Sequence, residues 1–112
     1  MLEIEKDVER GILFMRLEGG LTTKTFNTLG NEINYLLYNQ GISNFVIDFT
    51  NVSKFEDNIF SKIQSKLVEI FLCCGKVVMC GMNDIYKKRI GFTKDQLYYV
   101  KYEKDAFDYL KL

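Results

Sequence analysis

The sequence predicts an α/β fold, a mixed five-stranded sheet with about four helices packed on it. Three observations lead there. Two short strand-like segments at the N-terminus flank a charged turn and Gly11, the pattern of a hairpin. Behind them, segments with apolar residues at helical spacing alternate with short continuous apolar runs, the order of crossover helices between parallel strands. The chain has 112 residues, enough for one domain with a single modest core.

Each element has its own signal. Leu2 and Ile4 alternate with Glu3 and Glu5, as in a half-buried first strand. Ile12-Leu13-Phe14-Met15-Arg16-Leu17 reads as the second, which Gly19-Gly20 are expected to end. Thr22 or Thr23 is expected to cap the first helix, because a hydroxyl oxygen accepts from the free amides of a first turn. Phe26, Leu29, Ile33, Leu36 and Leu37 form its apolar face, and Gly41 stops it. Phe45-Val46-Ile47 is continuously apolar, as in a strand covered on both faces, and is expected to end near Asp48.

A short loop then leads to a second helix beginning near Asp57. Phe60, Ile63, Leu67, Ile70 and Phe71 line its inner face, Lys62, Ser65, Lys66 and Glu69 point away, and Gly75 closes it. Lys76-Val77-Val78-Met79-Cys80 reads as a fourth strand. A short third helix is expected to turn Ile85 and Ile90 inward and to leave Lys87, Lys88 and Arg89 solvated. Leu97-Tyr98-Tyr99-Val100 reads as the fifth strand, and Ala106, Phe107 and Leu110 mark a closing helix.

Composition narrows the function. The hydrophobic fraction is 47% and the charged fraction 27%, the balance of a folded globular chain. Fifteen basic residues balance fifteen acidic ones, so no global field draws nucleic acid or anionic membrane. No apolar run is long enough to span a bilayer, so no membrane insertion is expected. The acidic, alternating N-terminus is unlike a signal peptide, and a cytoplasmic location follows by default. Cys73, Cys74 and Cys80 fit reduced thiols in a cytosolic core and lack metal-site spacing. The chain has no His, which removes the commonest general base and every Ser-His or Cys-His dyad. No enzyme activity, metal or cofactor is expected. Tyr98, Tyr99 and Tyr102 lie outside any basic field and read as packing residues rather than a base-stacking surface.

The segment from Ile47 to Phe60, read as strand, loop and helix start, resembles the strand-to-helix corner of STAS domains, the family of anti-sigma factor antagonists. Leu17-Glu18-Gly19, Asp48 and Gly75-Lys76-Val77-Val78 extend the resemblance over nearly the whole chain. It implies a single STAS-like domain over residues 1–112 that binds a protein partner, an anti-sigma factor of the serine-kinase-like ATPase type. In that family the corner commonly reads Asp-Ser-Ser-Gly, and the second Ser is phosphorylated by the partner kinase. Here the same places, without a gap, hold Glu56, Asp57, Asn58 and Ile59. The resemblance therefore implies partner contacts at Asp48, Glu56, Asp57, Asn58 and Ile59, with no phosphoacceptor at the usual position.

Several readings stay open beside this one. Asp57 or Asn58 could simply cap the second helix. Asp48 could be a hydrogen-bonded loop acid. Ile59, in place of a glycine, either protrudes or packs inward. Ser53 and Ser61 flank the corner as alternative acceptors, and Lys87-Lys88-Arg89 is either a solvated helix face or a docking patch. Other STAS-like settings are an accessory subunit of a transporter and a signalling scaffold. A small-ligand sensor is a further alternative, although the chain has no phosphate-cradling glycine loop.

Overall fold

The hairpin forms as expected. β1 (Leu2–Glu9) and β2 (Ile12–Leu21) pair antiparallel from Leu2↔Gly19 to Glu9↔Ile12. Arg10 and Gly11 between them take φ of 54° and 76°, the left-handed pair that a two-residue turn needs to match the strand twist. The computed structural model describes residues 1–91 and 97–110.

Gly19-Gly20 do not end β2, which runs on to Leu21. Gly19 has φ +112°, and a Cβ there would stand 2.1 Å from the Met1 carbonyl oxygen, so glycine admits a close approach within the strand. The turn into α1 (Phe26–Asn34) is tied by two threonines. The Thr25 hydroxyl accepts from the Thr22 amide at 2.9 Å, and the Thr22 hydroxyl accepts from the Thr25 amide at 3.1 Å. Thr25, not Thr22 or Thr23, holds the N-cap position, and its side chain makes no bond to the helix amides. α1 widens into a π-helical turn over Tyr35–Asn39, which keeps Leu36 and Leu37 buried, and the chain leaves through Gly41 at φ +69°.

β3 (Asn44–Phe55) is longer than its apolar core suggested. Asp48 lies in mid-strand, and the expected loop continues the strand to Phe55 against β2, with Glu18↔Asn51 and Leu21↔Phe55 in register. The strand persists through polar residues because β2 offers it a parallel hydrogen-bonding edge. α2 (Ile59–Leu72) follows, starting two residues after Asp57. β4 (Lys76–Cys80), α3 (Asp84–Ile90), β5 (Leu97–Val100) and a 3₁₀ helix (Glu103–Asp108) complete the order.

The sheet order is β1-β2-β3-β4-β5, parallel from β2 onward. Successive crossovers with one hand place α1, α2 and α3 on one face. There Leu13, Met15, Phe45, Ile47, Val77 and Met79 meet Phe26, Leu29, Ile33, Phe60, Ile63 and Leu67 in the main core. On the other face Ile12, Phe14, Val46, Val78 and Cys80 pack beneath Ala106 and Leu110 of the closing segment. Three inward or core assignments fail. Ile85 is 69% exposed because α3 is short and turns only Ile90 and part of Tyr86 inward, and Cys73 and Cys74 are exposed because they lie past the last turn of α2. Among the described residues no helix is long and apolar enough to cross a membrane.

Candidate functional site

An aromatic cluster shapes the β3–α2 corner. Phe55 at the end of β3 lies 5.8 Å from the Phe60 ring in α2 and 4.3 Å from Tyr86 in α3, and Phe49 joins it at 6.0 Å. Ile59 is wholly buried, which decides its direction: the side chain packs inward and leaves the outer surface of the corner to its neighbours. With both ends of the corner anchored in the core, residues 56–58 form a tight turn in which the Ile59 amide donates to the Glu56 carbonyl at 3.0 Å.

The three polar corner residues face different surroundings. Glu56 is held within the molecule. Its Oε1 accepts from the Thr23 amide at 2.9 Å, joining the corner to the β2–α1 turn. The Thr23 amide and hydroxyl stabilise the carboxylate and lower its pKa below the ordinary glutamate range. Asp57 projects outward, its side chain 99% exposed. Asn58 occupies the N-cap position of α2, but its side chain makes no capping bond and stays exposed. Neither Asp57 nor Asn58 is thus a side-chain cap.

Arg89 reaches the corner itself, a contact that neither reading of the Lys87-Lys88-Arg89 run anticipates. The basic run in α3 is not a uniformly solvated face: Arg89 Nη2 donates to the Asp57 carbonyl oxygen at 2.6 Å, and Nη1 lies 3.4 Å from Asp57 Oδ1. Its guanidinium also covers the Phe60 ring, 4.2 Å from the centroid. α3 therefore clamps the corner from the side. Lys87 pairs with Asp84 at 3.6 Å and lies over Tyr99, while Lys88 remains exposed. A sequence signal for Arg89 would have been a cation placed to meet the corner from the neighbouring helix, which local periodicity does not carry.

Asp48 does not join the corner. It lies on the sheet face opposite the helices, beside Arg16 in register on β2. Its Oδ1 accepts from the Thr50 amide at 2.9 Å and from the Thr50 hydroxyl. Arg16 binds Glu103 of the 3₁₀ helix with Nε and Nη2, both at 2.8 Å, and Glu5 at 3.0 Å. Burial pulls the Asp48 pKa up, but hydrogen bonds with Glu103 and Thr50 and the Arg16 charge outweigh it and hold the group below its usual range. Glu103 goes the other way: burial and the neighbouring Asp48 raise it against the pull of Arg16. This set latches the C-terminal segment onto the sheet.

Of the flanking hydroxyls, Ser53 is exposed where β3 shifts register against β2, between Gly19↔Val52 and Gly20↔Lys54. Ser61 is exposed in the first turn of α2 and donates to the Asn58 carbonyl at 3.2 Å. Tyr98 stacks on Tyr109 with centroids 4.6 Å apart, and Tyr99 packs on the main core, so both serve packing. Among the described residues no three potential metal ligands converge.

No family model and no curated protein sequence matches the chain. Solved structures do. The anti-sigma factor antagonist SpoIIAA in its unphosphorylated form superposes with a TM-score of 0.78, at 15% identity, over 99% of this chain and 98% of that one. SpoIIAA of Bacillus in its phosphorylated form gives 0.75, also at 15%, over 99% and 100%. A serine-to-glutamate variant of RsbS from Moorella thermoacetica gives 0.77 at 12%, over 96% and 94%. The chain thus has the STAS fold found in anti-sigma factor antagonists.

Proposed function

We propose that this chain is a single-domain, non-enzymatic regulatory protein of the anti-sigma factor antagonist kind. It acts in the cytoplasm by binding an ATPase partner of the serine-kinase anti-sigma type through the β3–α2 corner, without modification at the usual position. The observation that carries this reading is the Asn58 carboxamide, exposed and uncapped at the start of α2 where the family resemblance puts a phosphoacceptor Ser.

The chemistry follows from the group present. A phosphoserine at a helix start adds about two negative charges and can expel a partner by repulsion and desolvation. A carboxamide accepts no phosphate from a serine kinase and keeps position 58 uncharged and the corner binding-competent. Asp57 contributes one fixed charge, which Arg89 offsets. Ile59, being buried, does not obstruct approach. Glu56 shapes the corner through Thr23, while Asp48 lies on the other face and has no part in this contact.

The test is calorimetry with the purified serine-kinase-type anti-sigma factor of the same genome, followed by incubation with ATP and phosphopeptide mapping. Binding without incorporation is expected. Stoichiometric phosphate on Ser53 or Ser61 would overturn the fixed-state reading and relocate the switch.

A further inference from the structure

Beside the corner, α1 and α2 leave an open groove of about 420 Å³. Asn27 and Asn31, one turn apart, line one wall, and Lys62 and Lys66 line the other. The sequence suggested only an outward helix face here. Lys66 is already engaged, donating to Asn34 Oδ1 at 2.8 Å and pairing with Glu69 at 3.2 Å. Among the described residues, the side chains of Asn27, Asn31 and Lys62 have no partner. Among the described residues no carboxylate lines the groove.

Gly30 explains why the groove exists. It is buried in the middle of α1, where glycine costs helix stability relative to alanine. Neither strain nor crowding demands it: a Cβ would meet Lys66 Cε and the Phe26 ring at 3.6 Å, ordinary contact distance. A side chain longer than alanine at this position would grow into the groove. The missing side chain keeps a polar, cationic cleft open at the expense of helix propensity.

We infer that the α1–α2 groove receives an acidic segment of a protein partner, its carboxylates meeting Lys62 and its peptide groups meeting the Asn27 and Asn31 carboxamides. Small molecules favour enclosed, mostly apolar pockets, whereas this cleft is open and polar-walled. Such a surface suits a segment whose docking cost is shared with a larger interface, and complementary charge there sets register and on-rate. The groove is continuous with the corner, since Ser61 lines it while donating to the Asn58 carbonyl. The inference rests on the proposed partner binding and extends it from one turn to a two-part surface.

The test uses Gly30→Gln, Lys62→Glu and Gly30→Ala with two probes: the serine-kinase-type anti-sigma factor by calorimetry, and an acetylated, amidated Glu-Glu-Leu-Glu-Glu peptide by amide chemical shifts. Gly30→Gln and Lys62→Glu are expected to weaken kinase binding about tenfold or more. Gly30→Ala is expected to raise the melting temperature, so a loss in the Gln variant beyond that of the Ala variant reports filling of the groove rather than damage to the helix. The peptide is expected to shift the Asn27, Asn31 and Lys62 amides, and Gly30→Gln to abolish those shifts. Kinase binding unchanged by both groove variants, but lost in Asn58→Glu, would overturn the groove and leave the proposed function standing. Absence of kinase binding together with peptide shifts at the groove would overturn that function and keep an acidic-segment site. Peptide shifts elsewhere, or inorganic phosphate shifting the groove amides at lower concentration than the peptide, would overturn the inference.

Discussion

At the scale of single residues, tertiary neighbours decide what each polar group does. Arg89 sits in a Lys-Lys-Arg run that reads as solvated, yet it holds the Asp57 carbonyl and covers Phe60. It is 42% exposed, so solvent screens its ion pair, and Arg89→Ala is expected to cost only about 1 kcal/mol in urea unfolding. The cysteines divide by exposure. Cys73 and Cys74 are expected to react with a thiol reagent in the native state. Cys80, wholly buried and with burial plus neighbouring acids pushing its pKa up to about 12, should react only on unfolding. The Asp48–Glu103 pair gives opposite pH contributions. Lowered Asp48 adds stability that is present above the ordinary aspartate range and lost as pH falls through its folded value. Raised Glu103 favours the fold at low pH, and that contribution is lost as pH rises from the ordinary glutamate range through its folded value. Asp48→Asn should move the Glu103 midpoint downward in a carbon-13 carboxyl titration; an unmoved midpoint would show that the two groups do not interact.

At the scale of elements, periodicity was informative wherever burial was one-sided. The stripe Phe60, Ile63, Leu67 and Ile70 is buried as its spacing requires, because each helical turn returns to the sheet. The end of β3 was not legible. Asn51, Ser53 and Lys54 carry no strand signal, and only pairing with β2 makes them one. Ile85 misled for a related reason: in a helix of seven residues one apolar position can fall on the open side without breaking the pattern. The inner stripe yields a direct prediction. Phe60 is 3% and Leu67 2% exposed, so Phe60→Ala and Leu67→Ala should each destabilise by about 2–5 kcal/mol through lost burial and a residual cavity. Equilibrium unfolding measures this, and values inside the range of surface substitutions would show that the stripe does not carry the packing.

At the scale of the whole molecule, the order of apolar runs encodes the topology, but sequence spacing says nothing about which side chains meet from different elements. The corner's clamp from α3 and the groove between α1 and α2 both arise from such meetings. The formal charge of zero likewise hides local fields that a partner would read at close range. Charge placed at one point is therefore the sharpest probe of the interface. Asn58 makes no capping bond, so Asn58→Ser and Asn58→Glu should both leave stability within about 0.5 kcal/mol of wild type. Their effects on binding should separate. Asn58→Ser adds no charge to the corner and should bind the kinase as wild type does without ATP; with ATP, any phosphate gained there should weaken binding. Asn58→Glu brings charge without an enzyme and should lower affinity about tenfold or more, more strongly at low salt than at high salt. Val8→Glu, at a 59% exposed position on the edge strand β1, controls for added charge alone and should leave binding unchanged. If calorimetry gave equal affinities for Asn58→Glu and Val8→Glu, the corner would not be the contact surface, and the partner would have to be sought on another face of the same fold.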